Sequence, residues 1–347
     1  MRALALAPLL LGCAAEDLLP GQAPPPMTLE LTGPVVQGAP FTLTVSGASP
    51  GDRVWLGRGG PLGCCVCPPS MGGACLGVTD PAVLTSGRAD AAGGLARTFT
   101  VPATVPYGTV VSFQAAVVDG SGSYVSAPVE AEVEPADPLQ LLDDGFDGAS
   151  LTGWGTLNDG VFDLAVTGGQ LVLDAAARSS WHDAGDGPLV YRTVSGDFVA
   201  TAVVGAVDPS RGGPPLQLEQ LVGLMAHHAN GATDSHVFVA VGNDDVGPAV
   251  EASTTRRAAT TTSRVDWASN GAELRLCRYG TMMRAYRRAI GAPIWELAGE
   301  WARLDLLGDL LVGPMLHADQ ATPGLRGLVE SVRFSTPADA LDCQTAP

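Results

Sequence analysis

The sequence predicts an all-β protein built from two sandwich domains in tandem, and three observations carry that prediction. The 347 residues include 44 Gly and 27 Pro, which are costly in helix interiors and common in turns. Apolar residues recur in short alternating runs between Gly, Pro, Asp and Ser clusters, the period of half-buried strands. Between two such series lies Pro135-Ala136-Asp137-Pro138, whose prolines disfavour helix and ladder pairing alike and mark a domain boundary.

At the start of the chain, Arg2 precedes an apolar segment from Ala3 to Leu11, far below the roughly 20 residues a spanning helix requires. Leu10-Leu11-Gly12-Cys13 resembles a bacterial lipobox. That implies a signal peptide over 1–12 and a mature N-terminus at a lipid-modified Cys13, the alternative being an ordinary secretory signal. Ala14, rather than Asp, follows Cys13, so the expected address is the outer membrane or cell surface. Residues 13–26 are small, polar or Pro-rich and suit an extended tether.

From 27 to 135 the runs Thr28 to Thr32, Phe41 to Ser46, Arg53 to Leu56, Ala96 to Val101, Val110 to Val118 and Val129 to Val133 give the arithmetic of an immunoglobulin-like sandwich. From 139 to 343 come Gln170 to Asp174, Asp197 to Val204, Leu221 to His227, His236 to Val241, Glu273 to Tyr279 and Leu328 to Ser335. With no βαβ alternation, these fit one large two-sheet sandwich or jelly roll. Tyr279, Met282, Met283, Tyr286 and Ile290 fall at helical spacing, but Gly280-Thr281 divides the stretch into two strand-length pieces, so a hairpin is expected.

All 19 basic residues are Arg, against 36 acidic ones, and the net charge of -17 argues against binding nucleic-acid phosphates. Membrane contact is expected through the lipid anchor only. Residues 252 to 295 nevertheless carry Arg256, Arg257, Arg264, Arg275, Arg278, Arg284, Arg287 and Arg288 against Asp266 and Glu273. That excess complements the acidic remainder of the chain or, alternatively, meets an acidic glycan or partner.

Besides Cys13 there are six cysteines, and in an exported chain disulfides are expected. Cys67 and Cys75 bracket a short loop that closes easily, and Cys277 with Cys343 is the simplest remaining bridge. Cys64 and Cys65 are left without assigned partners. The spacing of Cys64, Cys65, Cys67 and Cys75 is not the paired CxxC of a zinc site. A metal site can be drawn from His227, His228, Asp234 and His236, yet strand alternation sends His227 and His228 to opposite faces. Asp143, Asp144 and Asp147 offer oxygen ligands for a structural calcium, or else form a solvated acidic turn. No cofactor is otherwise expected.

Several segments carry a resemblance. FDGASLTGW, GGQLVLDA, SSWHDAGDGPLVYRTVSGDFVATAVV, VGLMAHH, AELRLCRYGTMMRAYRR, PIWELAGEWARLDLLGDLLVGPMLHAD and VESVRFS together resemble the concanavalin A-like lectin/glucanase sandwich over about 141 to 336. The nearest form is the variant found as a C-terminal module beside some β-xylosidases. CPPSMGGACLGVTDP, ADAAGGLARTFTVP and VSFQAAVVDGSGSYVSAPV resemble an immunoglobulin-like module of exported bacterial proteins. Glucanases of the first family usually carry both carboxylates in a Glu-x-Asp-x-x-Glu run, and this chain has no such run. Glu296 and Glu300 read as solvent-facing, and no Gly-x-Ser-x-Gly turn, His-Glu-x-x-His helix or phosphate loop occurs.

The chain is therefore expected to be no enzyme but a non-catalytic lipoprotein that binds polysaccharide, a surface glycan or another surface ligand. The alternatives are a structural or adhesive lipoprotein without a small-molecule site and, third, a divergent glycoside hydrolase. The resemblance implies a ligand on the concave sheet or its rim. Trp181, set between Ser179-Ser180 and His182-Asp183, is the candidate stacking ring. Arg192 and His227 are expected beside it, with burial of Trp181 in the core as the structural alternative.

Overall fold

The computed structural model describes residues 27–66, 75–119, 122–148, 150–182, 185–230 and 235–346. The expected signal peptide and tether, with Cys13 and Cys67, lie outside the described residues, and the expected Cys67–Cys75 pairing with them. The chain divides into two compact units, one ending at Ala136 and the other beginning at Asp137. Among the described residues no helix is long and apolar enough to cross a membrane.

The first unit contains β1 (Thr28–Thr32), β2 (Pro40–Ser46), β3 (Arg53–Gly59), β4 (Leu62–Val66), β5 (Leu76–Val78), β6 (Ala82–Arg88), β7 (Leu95–Thr100), β8 (Val110–Asp119), β9 (Gly122–Val125) and β10 (Val129–Glu132). One sheet runs β1-β2-β7 and the other β10-β8-β3-β6, with β9 also on β8 and β4 paired with β5. Leu43, Val45, Val54, Leu56, Phe113, Ala115 and Val117 fill the space between the two larger sheets. Each is an alternate residue of its strand, the period a two-layer sandwich requires. All six expected runs fall on strands. β4, β5, β6 and β9 are additional; β6 has no fully buried residue to mark its period, and β5 and β9 are three and four residues long.

The second unit contains β11 (Gly155–Leu157), β12 (Phe162–Thr167), β13 (Gln170–Ala175), β14 (Leu189–Val194), β15 (Phe198–Val207), β16 (Gln220–His228), β17 (His236–Asn243), β18 (Pro248–Arg256), β19 (Ala259–Asp266), β20 (Gly271–Tyr279), β21 (Met282–Arg288), β22 (Glu296–Ala302), β23 (Leu310–Ala318) and β24 (Arg326–Ser335). They form two seven-stranded sheets, β11-β14-β23-β16-β17-β18-β19 and β12-β13-β24-β15-β20-β21-β22. Phe198, Leu224, Val239, Leu274, Leu276, Val312, Leu316, Val329 and Val332 meet between them. The expected hairpin is present, Tyr279 pairing with Met282 across Gly280-Thr281, where Gly280 takes the left-handed φ of +58° that a tight turn demands.

The unit is closed at its ends by side chains the sequence marks. Asp137 caps the short 3-10 turn Pro138–Leu142 and accepts from Thr336. Cys277 on β20 is joined to Cys343, with Cα atoms 5.5 Å apart, tying the C-terminal turn to the outer face of the second sheet. Arg275 lies over Trp295 at 4.2 Å and donates to the Ala346 carbonyl at 2.7 Å, so the same turn is held by stacking and a charge-assisted bond.

The arginine excess is largely spent inside the unit. Arg264 pairs with Asp244 and Asp266, Arg284 with Glu300, Arg287 with Glu296 and Arg288 with Glu273. Buried Arg278 donates to the carbonyls of Gly196, Leu306 and Gly308. Six of the eight thus meet internal partners, which corrects the alternative of an acidic ligand for these side chains.

Candidate functional site: the outer face of the first sheet

Because alternate residues of a strand face opposite ways, the register fixes what the first sheet presents away from the core. β16 contributes Leu221, Met225 and His227, β17 His236, Phe238 and Ala240, and β23 Leu311, Met315 and His317. Together with Leu189 of β14 and Trp181 of the preceding loop, the apolar members pack into a cluster separate from the sandwich core. Glu251, Ser253 and Thr255 continue the same face on β18, paired with Ala240, Phe238 and His236. Exposed Thr262 on the edge strand β19 pairs with Ser253.

Four of the chain's five histidines meet here. His227 and His236 are direct cross-strand partners with parallel rings 5.9 Å apart. Trp181 lies 5.7 Å from the first and 5.2 Å from the second. His182 packs 4.5 Å from His317 and stacks on Phe238 at 5.9 Å. Phe238 thus separates two imidazole pairs.

The backbone of Trp181 sets the protonation of two of these rings. Its N–H donates to Nδ1 of His317 at 3.1 Å. A backbone N–H can only donate, so Nδ1 is a lone pair and the His317 proton sits on Nε2, where it is given to Glu219 Oε2 at 2.9 Å. Its carbonyl accepts from Nε2 of His236 at 3.0 Å, which leaves Nδ1 of that buried ring with no partner among the described residues. Burial, aided by repulsion from His227, lowers the His236 pKa to about 3, so the ring is neutral.

His182 Nε2 donates to Glu251 Oε1 at 2.7 Å, while its Nδ1 lies 3.8 Å from Glu219 Oε2. The hydrogen bond from His317 holds the Glu219 carboxyl below the usual carboxylate range. Glu219 itself takes a left-handed φ of +58°. That strained conformation is fixed by its N–H donating to Asp244 and its carbonyl accepting from Asp319. His182, Glu219 and His317 thereby bring their ligand atoms within 4.8 Å of one another.

Two of the expected ligand residues require correction. Trp181 is on this face but only 1 % exposed. Its ring is a plug between the loop and the sheet, held so closely against Gly187 that a Cβ there would overlap it, and it is not available for stacking on a sugar. Arg192 points the other way from its strand neighbour Tyr191. It lies over Trp154 at 4.7 Å and 3.8 Å from Asp144, so it does not converge with Trp181. His227 does converge, as a buried ring.

The remaining candidates are also placed. His228 lies on the opposite side of β16 and Asp234 is outside the described residues, so the histidine metal set drawn from sequence is not assembled. Asp143 Oδ1 accepts from Phe334 N–H at 2.6 Å, and Asp144 accepts from Trp154 Nε1 at 2.8 Å and from Phe146 N–H at 2.7 Å. Oxygens taken by N–H donors do not fit a calcium site. His182, Glu219, Glu251 and His317 were not marked by any sequence pattern, since Glu219 and His317 are 98 residues apart and only strand register joins them.

No family model and no curated protein matches the chain. Solved structures do. A functionally unknown protein from Saccharomyces cerevisiae is 14% identical, with 54% of this chain and 98% of that chain covered at a TM-score of 0.46. The GH43 BlXynB protein from Bacillus licheniformis is 11% identical, covering 89% of this chain and 64% of its own at a TM-score of 0.48. Lectin I-B4 from Griffonia simplicifolia is 12% identical over 55% of this chain and 96% of its own, with a TM-score of 0.37. The similarity is one of all-β sandwich architecture.

Proposed function

We propose that this chain is an exported, lipid-anchored surface protein whose second, concanavalin A-like unit binds carbohydrate on the outer face of its first sheet without cleaving it. The observation that carries this reading is the polar rim on that face. Partly exposed His182 and Glu219 open on that face and exposed Thr262 lies on its edge strand, over an interior of fully buried Ser253, Thr255, Phe238 and Met225. Solvent-facing donors and acceptors are what sugar hydroxyls require. A non-catalytic role is supported by the carboxylates. His317 holds Glu219 ionised, so it does not serve as the proton donor that a glycosidase requires, and Glu296 and Glu300 are engaged with arginines. Lipid anchoring rests on Leu10-Leu11-Gly12-Cys13 and the tether that follows.

The burial of Trp181, which closes part of this face, favours a second reading, a structural or adhesive surface protein with no small-molecule site. A glycan array probed with the full chain, followed by pull-down on insoluble polysaccharides, separates them. Saturable binding to a defined glycan class supports the first reading, and its absence from both formats supports the second.

A further inference from the structure

We propose that His182, Glu219 and His317 form a binding site for a divalent transition-metal ion of the zinc class. The site goes beyond carbohydrate recognition and does not depend on it. Two imidazole nitrogens and one carboxylate oxygen are the borderline donor set that zinc, cobalt and nickel prefer over calcium or magnesium, and three protein ligands leave one position open. The atoms involved are His182 Nδ1, Glu219 Oε2 and His317 Nε2, with separations of 3.8 Å and 2.9 Å from the carboxylate oxygen to the two rings. A metal-ligating histidine almost always gives its other N–H to an acceptor, a carboxylate, backbone carbonyl or water. Buried Glu251 supplies that to His182, accepting from Nε2 at 2.7 Å and turning Nδ1 toward Glu219.

His317 adds a coupling. With an ion on Nε2, the single proton of a neutral imidazole must sit on Nδ1, where it would face the Trp181 N–H, donor against donor. The ion and the Trp181 backbone therefore compete for the same ring. Metal coordination replaces two hydrogen bonds of His317, the one from the Trp181 N–H and the charge-assisted one to Glu219. The Nε2 proton moves to Nδ1, and the Trp181 N–H is released from His317. Metal uptake should thus be reported by the environment of the Trp181 indole.

The test uses the full chain, oxidised and stripped of metal, titrated with zinc chloride by calorimetry and counted by elemental analysis, with calcium chloride as comparison. The expected result is one zinc per chain, no calcium, and a loss of affinity of tenfold or more in both Glu219→Gln and His182→Asn. A zinc-induced change in tryptophan fluorescence should disappear in Trp181→Phe. Both ligand substitutions are at half-exposed positions, and circular dichroism confirms their fold; should His182→Asn unfold, Glu219→Gln carries the test. Absence of zinc uptake by the parent, or uptake unchanged in the folded variants, overturns the proposal. Since no glycan enters the assay, its outcome is read separately from that of the glycan array.

Discussion

The backbone N–H of Trp181 donates to Nδ1 of His317, 136 residues further along the chain. Through that bond a loop residue decides which nitrogen of a sheet histidine carries the proton, and hence that Glu219 receives it. The consequences for stability and binding follow from this anchoring of the loop to the sheet.

Trp181 is a structural plug, so Trp181→Ala should destabilise the second unit by about 3 to 5 kcal/mol through loss of buried area and the cavity left behind. Gly187→Ala should also destabilise, because its methyl would overlap the Trp181 ring. Urea melts of the two variants check this, and a Trp181→Ala protein melting with the parent would contradict it.

His236 makes the fold sensitive to acid. Its folded-state pKa of about 3 lies below the ordinary value of 6.5, so between those limits the unfolded chain binds the extra proton. Its contribution is complete above pH 6.5 and is lost progressively as the pH falls toward 3, on the order of 1 kcal/mol per pH unit. His236→Gln, which can still donate to the Trp181 carbonyl, should flatten the pH dependence of stability across this window. An unchanged slope in denaturation measurements would contradict the assignment.

The Cys277–Cys343 bridge spans 66 residues, a loop whose closure entropy corresponds to about 4 kcal/mol in the chain-entropy account. The double variant Cys277→Ser, Cys343→Ser should lose stability of that order and loosen the C-terminal turn first. Denaturant melts together with hydrogen exchange at residues 342–346 test both parts.

Cys13→Ser should abolish lipid labelling and release the chain from the membrane fraction. Retention of the variant with membranes would contradict lipid anchoring.

Much of the architecture was legible because alternating apolar runs such as Leu221 to His227 and His236 to Val241 coincide with strands β16 and β17. β18 and β19 were not, since EASTTR and ATTTSRVD place hydroxyls where an apolar period would show. β23 was hidden by Gly313 and Pro314, which argue against a central strand. The site was legible only at Trp181 and His227. Polar neighbours in sequence suggested that Trp181 was exposed, but His317 and His236 draw its backbone down onto the sheet and bury the ring. Arg192 failed by alternation, facing Trp154 rather than the outer face.

The proposed carbohydrate surface is the outer face of the first sheet. Thr262 is exposed on the edge strand, on the same face as His182 and Glu219, so Thr262→Arg can crowd that face without touching the core. Calorimetric titration of parent and variant with the glycan selected on the array is the most direct measurement. The account predicts binding by the parent and a loss of tenfold or more in Thr262→Arg at unchanged melting temperature. Equal affinity in parent and variant would contradict it.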